Sequence, residues 1–360
     1  MSATEERTDG PVPDSVLAPD GTLREGREPA MASEDVLAAF RLMLLTRVFD
    51  ERAFSLQRQG RLGTFSTVTG QEASVVGSAF ALDPARDWVV PQYRELPAML
   101  RQGFTLERFL LYYVGNPVGN LMEEGVNLLP FQISLATQVP HAVGLGWGLR
   151  HRGSDGCVIT YFGDGASSEG DVHEAMNLAG LRRAPVIFFL QNNGYAISTP
   201  VAKQTAAQSF ALRAAGYGFP GELVDGNDLL AVYEVTAGAV ARARAGDGPT
   251  LIESRTYRLG PHNTADDPTR YVDPEELEAR RALDPLNRVR AYLHAKDLLD
   301  DEREAALRDE LAEEVAAAVN AAESYAAAHP RQIFEHVYAR PPDRVTRQQR
   351  EATADRGSGP

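Results

Sequence analysis

Apolar residues recur at helical spacing across residues 33–59, "SEDVLAAFRLMLLTRVFDERAFSLQRQ", with Ser33, Glu34 and Asp35 as start signals. A second helix is expected from Gly70 in "GQEASVVGSAFAL". "DWVVPQYREL" predicts a short strand and then a turn at Tyr93–Arg94, and "LERFLLYYVG" a further helix. From Leu135 the pattern alternates. The Gly/Ala-rich helix "LATQVPHAVGLGWGLRHRG" precedes a buried strand, "GCVITYFGDG". The helix "SSEGDVHEAMNLAGLRR" leads to "PVIFFLQNNG", a run without polar alternation, as in a central parallel strand. "FALRAAGYGF" is expected as a helix, "GELVDG" as an edge-like strand, "DLLAVYEVTAGAVARARAG" as a long helix and "PTLIESRTYRLG" as a strand. Repeated βα units of this kind predict an α/β fold. Its doubly wound, mostly parallel sheet would be flanked by helices, with helical N-terminal and C-terminal segments.

The domain plan follows. Residues 1–31 are polar and rich in Pro, Gly and charge, and are expected to be disordered or loosely draped. Residues 32–272 form the α/β domain with its N-terminal helices. Residues 273–340 are a charged helical segment, and 341–360 a disordered tail.

In an open parallel sheet, ligands sit beyond the carboxyl ends of the strands. "GDG" and "NN" fall at the ends of two successive strands, so Asp164 and Asn193 are expected to converge on one point. Oxygen donors of this kind suit Mg²⁺ or Ca²⁺, and Mg²⁺ commonly completes its shell with phosphate oxygens. Gly163 and Gly165 permit close backbone approach, and Ala166–Ser168 would open a helix whose free N–H groups favour an anion. A lone GDG is more often a plain capped turn. Paired with NN after 26 intervening residues, it points to a metal-bound diphosphate.

Composition narrows the partners. The chain has 360 residues, 43% apolar and 24% charged, as a soluble globular protein does. No apolar run spans a bilayer, and the N-terminus lacks the pattern of a secretory signal, so a cytoplasmic location is the default and no membrane contact is expected. A net charge of −14 argues against nucleic acid. Cys157, the single cysteine, excludes an internal disulfide and any multi-thiolate metal site.

The spacing of GDG and NN resembles the thiamine-diphosphate fingerprint. The resemblance extends from about Val36 to Arg340, carried by "GQEA", "QYRE", "LATQVPHAVG", "YFGDGASSEGD", "FFLQNNGYAISTP" and "YRLGPHNTADDPTRY". These segments are similar to the alpha subunit of the decarboxylating component of heterotetrameric 2-oxo acid dehydrogenase complexes, and their wording is nearest to branched-chain and related bacterial or archaeal members.

The resemblance assigns roles. Asp164, Asn193 and the backbone oxygen of Tyr195 match Mg²⁺ ligands, and Gly165 and Ala166 match N–H donors to the diphosphate. Tyr93 and Arg94 match a pair that grips it, for which a guanidinium is apt. Leu135 matches the bulky residue under the cofactor's bend, and Ile133 a backbone contact to the pyrimidine. Thr137 and Gln138 match potassium ligands of mammalian branched-chain members, but the surrounding "LLPFQIS" differs, which leaves that ion open. His262, expected near neutral pKa, matches a histidine that contacts the diphosphate and the reacting substrate. Asp266, Arg270 and Tyr271 would order its loop, with Arg258 as an anchor. Asn263 stands where mitochondrial relatives carry a regulatory serine, so phosphorylation there is impossible. Phe65, Ser66 and Tyr93 are candidate substrate contacts. Gln191 replaces an arginine of branched-chain relatives, and Ser66 a histidine of mammalian pyruvate-specific ones.

The glutamate that thiamine chemistry needs beside the aminopyrimidine has no place in the single α/β domain. The resemblance supplies it from a beta subunit, implying an α₂β₂ heterotetramer that decarboxylates a 2-oxo acid and passes the acyl group to a lipoyl domain of the acyltransferase component. Branched-chain substrates are favoured, with pyruvate or acetoin as alternatives. A nicotinamide dehydrogenase would need G-x-G-x-x-G after the first strand, a spacing that "GDGASSEG" lacks. Asp164, Asn193, Arg94 and His262 together argue against a non-catalytic scaffold.

Overall fold

The computed structural model describes residues 11–354 except 326, 328 and 336. Long apolar faces form α1 (Ser33–Arg58) and α2 (Glu72–Phe80), followed along the chain by β1 (Trp88–Val90), α3 (Leu96–Arg101) and α4 (Leu106–Tyr113). The alternating half of the chain supplies α5 (Gln138–His151), β2 (Val158–Gly163), α6 (Gly170–Arg182), β3 (Val186–Asn192), the two-residue strands β4 (Tyr195–Ala196) and β5 (Thr199–Pro200), β6 (Gly221–Asp225), α7 (Leu229–Arg244) and β7 (Thr250–Arg255). Helices α8 (Pro274–Arg281), α9 (Pro285–Ala295), α10 (Asp301–Ser324) and α11 (Asp343–Ala354) follow.

The main sheet is parallel, in the order β1-β2-β3-β7-β6. Every residue of β3 is buried, which explains its unbroken apolar run. Val158, Phe162, Phe188 and Leu190 pack with residues of α5 and α6 on one face. Ile159, Tyr161, Ile187 and Phe189 face α1, α2 and α7 on the other. The small residues of α5 let it sit close: a Cβ on Gly146 would stand 2.7 Å from Val186 Cγ2. Arg47 holds three elements together, in part through the Glu72 carboxylate. Arg47 Nε donates to it at 2.6 Å, and the same guanidinium reaches Asp284 at 2.9 Å, tying α1, α2 and the start of α9.

Three expectations need correction. The described part of the N-terminal segment, residues 11–31, is not loose. Asp14 pairs with β6 through Asp14 N to Leu223 O at 3.0 Å and Asp225 N to Asp14 O at 2.9 Å, covering an otherwise open sheet edge. Val16 and Leu17 are fully buried, worth about 2 kcal/mol each, and their N–H groups donate to Asp228 Oδ2 at 2.7 and 2.6 Å. Residues 1–10 lie outside the described residues. In the tail, Asp343–Ala354 is the helix α11 with Val345 buried, where disorder was expected; residues 355–360 lie outside the described set. Phe210–Tyr217 winds as a 3₁₀ helix rather than an α-helix, with Phe210 and Ala214 packed on the sheet.

Candidate active site

The carboxyl ends of β2 and β3 open into a cavity of about 700 Å³. The parallel register pairs Gly163 with Gln191, so Asp164 and Asn193 leave neighbouring strands side by side. Both line the cavity, with Gly165, Ala166, Tyr195, Tyr93, Arg94, Ile133, Leu135, Ser66 and His262. The sequence-derived site is thus brought together, with one exception. Phe65 is 1% exposed and packs edge-on against Phe49, Phe109 and Tyr113 in the core, so it is no substrate contact. Its backbone instead holds the histidine loop, donating to Thr264 Oγ1 at 3.1 Å and accepting from Thr264 N at 2.9 Å.

Asp164 is buried, and burial holds its carboxyl above the ordinary carboxylate range, opposed by the Gln204 amide and the N–H of Asn193. Gln204 Nε2 donates to it at 2.5 Å. Those donors are neutral; the one full positive charge that acts on the carboxylate, Arg258, does so through space and without a hydrogen bond. The turn behind it is fixed by Ser167, whose Oγ donates to Asp164 O at 2.5 Å, and by Arg213, which donates to Ser167 O at 2.8 Å. Ala166–Ser168 is only a single 3₁₀ turn, and α6 starts at Gly170. A Cβ on Gly165 would stand 2.7 Å from Ala196 Cβ, whereas one on Gly163 would meet nothing nearer than 4.0 Å. Close approach therefore requires glycine at 165 and not at 163.

Asn193 Oδ1 accepts from Tyr195 N at 3.4 Å, and its Nδ2 donates to Gln71 Oε1 at 3.1 Å. The Tyr195 carbonyl accepts from Arg258 Nη1 at 3.2 Å, which leaves its second lone pair. A cation here would draw on one carboxylate, one amide and one backbone carbonyl; no group of three or more His, Cys, Asp or Glu side chains forms a metal cluster among the described residues.

Two buried guanidinium groups flank the cavity. Arg94 donates to Thr67 O at 2.5 Å, to His262 O at 2.6 Å and to His262 Nδ1 at 3.1 Å. Burial holds its pKa below the usual arginine range. Arg258 donates to the carbonyls of Tyr195 and Ile197 and to Tyr271 Oη. All these acceptors are neutral; the carboxylates that act on the two groups, Glu95 and Asp50 on Arg94 and Asp164 and Asp266 on Arg258, do so through space, so neither guanidinium is tied up in a hydrogen-bonded ion pair and both can receive an anion.

Because arginine only donates, His262 Nδ1 is the acceptor and the ring proton sits on Nε2. Burial, reinforced by Arg94 and Arg258, pushes the His262 pKa down to about 4. The near-neutral value expected from the sequence is therefore wrong for the ligand-free chain. Asp266 accepts from His262 N at 2.7 Å and from Tyr271 Oη at 2.5 Å, so the loop is ordered by Asp266, Tyr271 and Arg258; Arg270 is exposed. Ile133 and Leu135 are 52% and 42% exposed, an apolar pair left at the cavity wall ahead of α5. Thr137 Oγ1 donates to Gln132 and Gln138 Nε2 to Tyr161 O.

Sequence reasoning missed Glu95. Its buried carboxylate lines the cavity, accepts from Gln92 N, Arg94 N and Gln191 Nε2, and is held above its ordinary range by burial. Gln191, noted only as a lost arginine, is thus the partner of a buried acid. The adjacency of Tyr93–Arg94 to an acidic residue was the available signal.

The Dehydrogenase E1 component family matches residues 40–331. The pyruvate dehydrogenase E1 component subunit alpha of Staphylococcus epidermidis is 41% identical over 335 residues, covering 92% of this chain and 90% of that one. The 3-methyl-2-oxobutanoate dehydrogenase subunit alpha of Mycobacterium tuberculosis is 46% identical over 288 residues, covering 79% and 78%. No helix among the described residues is long and apolar enough to cross a membrane. With a parallel α/β sheet and a cleft at its strand tips, the chain belongs to the dehydrogenase E1 component family, as an alpha subunit of a 2-oxo acid dehydrogenase component.

Proposed function

We propose that this chain holds the diphosphate end of thiamine diphosphate through Mg²⁺, within an α₂β₂ heterotetramer that decarboxylates a 2-oxo acid. The observation that carries the proposal is one of charge. Asp164, a buried carboxylate with only neutral donors, shares a cavity with Arg94 and Arg258, two buried guanidinium groups with only neutral acceptors. A cation bound to a polyanion satisfies both. Asp164, Asn193 and the Tyr195 carbonyl would ligate Mg²⁺. Gly165 and Ala166 N–H, Tyr93 and Arg94 would hold the diphosphate, and Leu135 and the Ile133 backbone would meet the ring system.

The cofactor, when bound, supplies the electron sink for decarboxylation. The chain supplies position and charge. With its proton on Nε2, His262 enters as a hydrogen-bond donor toward an anionic oxygen. An anion beside it would raise its pKa from about 4 and bring proton transfer into range. The beta subunit would contribute the glutamate facing the aminopyrimidine and close the cavity, so the alpha chain alone is inactive. The acyl group would then be passed to the lipoyl domain of the acyltransferase component. The small-residue helix α5 would pack near the α–β interface, and the assembly would work in the cytoplasm. Position 263 offers no phosphorylation site.

The substrate we favour is a branched-chain 2-oxo acid, in keeping with the relative named for 3-methyl-2-oxobutanoate; pyruvate, after the relative named for it, is the alternative, with acetoin behind it. The test is lipoyl acylation by the tetramer reconstituted with its beta subunit. A larger kcat/KM with 3-methyl-2-oxobutanoate than with pyruvate or acetoin supports the branched-chain assignment. Preference for pyruvate transfers the assignment to the alternative, and activity of the alpha chain alone removes the split-site proposal.

A further inference from the structure

Gln71 stands at the N-cap of α2, fully buried, with its side chain on the cavity wall beside Asn193. Its two amide atoms are in opposite states. Oε1 accepts from Asn193 Nδ2 at 3.1 Å. Nε2 is buried and finds no hydrogen-bond partner among the described residues. A buried donor left unpaired is costly, of order 1–3 kcal/mol, so its persistence calls for an acceptor at this site.

The orientation is forced step by step. Asn193 Oδ1 accepts from Tyr195 N, which closes the turn after β3 and leaves the Asn193 NH₂ to face Gln71. Only a carbonyl oxygen can receive that NH₂, so Gln71 presents Oε1 to Asn193. Its own NH₂ must then project elsewhere. The neighbouring residue of the same motif is engaged differently: Glu72 turns away to Arg47 and to Gly70 N. Gln71 is therefore the member of this helix start that serves the cavity.

We propose that Gln71 is a positioning residue for the cation–diphosphate site. Its Oε1 holds the Asn193 amide with Oδ1 on the Tyr195 side, and its Nε2–H donates to an anionic phosphate oxygen. This rests on the metal–diphosphate reading of the cavity.

The two halves separate by substitution. Gln71→Leu removes both. Gln71→Glu keeps an oxygen for Asn193 and replaces the donor with an acceptor. In the reconstituted tetramer, Mn²⁺ affinity without cofactor is read by electron paramagnetic resonance. Thiamine diphosphate affinity at saturating Mn²⁺ is read by calorimetry. The Leu variant should lose about tenfold in both, and the Glu variant about tenfold in cofactor affinity while holding Mn²⁺ at least as tightly as the parent. An assembled Leu variant with parental affinities overturns the proposal. If the Leu variant does not assemble, the Glu variant decides alone, and equal change or no change in its two affinities overturns it. Asp164→Ala in the same series tests the underlying reading: parental Mn²⁺ binding there removes the cation site itself, whereas loss there with no loss at Gln71 removes only the role of Gln71.

Discussion

Arg94 grips His262 twice from one guanidinium nitrogen, donating to the ring Nδ1 at 3.1 Å and to the backbone carbonyl at 2.6 Å. The pair fixes the tautomer, and Arg94 adds to burial, the larger cause, in keeping the ring neutral. Arg94→Ala should therefore raise the His262 pKa from about 4 toward the ordinary 6.5. Histidine C2 hydrogen exchange followed by mass spectrometry reads this in the intact assembly.

The same pKa sets a pH dependence of stability. The folded ring refuses a proton that the unfolded chain accepts between about 6.5 and 4. The His262 contribution is therefore fully present above 6.5 and is lost as pH falls toward 4. Asp164 and Glu95, whose folded pKa values are raised, act in the opposite sense. Comparison with His262→Gln isolates the histidine: the variant should lose less stability than the parent in urea titrations run from pH 7 to pH 4.5.

Asp164 is a strained choice for a ligand-free chain. Asp164→Asn removes a buried carboxylate that has only neutral hydrogen-bond donors and the through-space pull of Arg258, and keeps an oxygen for Gln204. It should stabilise the ligand-free protein by on the order of 1 kcal/mol, seen as a higher Tm, while abolishing Mg²⁺-dependent cofactor affinity.

Phe65 and Ser66 are adjacent but differ in kind. Phe65→Ala opens a void among Phe49, Phe109 and Tyr113 and should cost about 3–5 kcal/mol. Ser66→Ala, at the cavity wall, should stay within about 0.5 kcal/mol and change KM among 2-oxo acids. Denaturant melts and steady-state kinetics on the pair separate the two effects.

Asp228 serves two segments at once. Oδ1 caps α7 through Leu230 and Ala231 N–H, and Oδ2 holds Val16 and Leu17. Asp228→Ala should cost about 2–4 kcal/mol and expose residues 11–31 to limited proteolysis.

These contrasts mark what the sequence disclosed. Asp164 and Asn193 were legible because each ends an apolar run, and strand ends are where a parallel sheet binds ligands. Gln204 and Gln71 were not, because their contacts with Asp164 and Asn193 join positions 40 and 122 residues apart. No local pattern encodes such a pairing. Phe65 misled because a phenylalanine beside cavity residues reads the same whether it faces the core or the cleft. The segment before α1 misled because composition averages over residues, whereas two adjacent apolar side chains and one aspartate suffice to pin it. The His262 pKa was hidden for a related reason: the burial that chiefly depresses it, and the two arginines that add to it, come from separate parts of the chain.

One divalent cation is expected among Asp164, Asn193 and the Tyr195 carbonyl. Crystals of the tetramer grown with thiamine diphosphate and Mn²⁺ in place of Mg²⁺ test it through anomalous scattering. A peak is expected about 2.1 Å from Asp164, Asn193 Oδ1 and Tyr195 O. A cofactor bound with no peak there, or with the cation held by other residues, contradicts it.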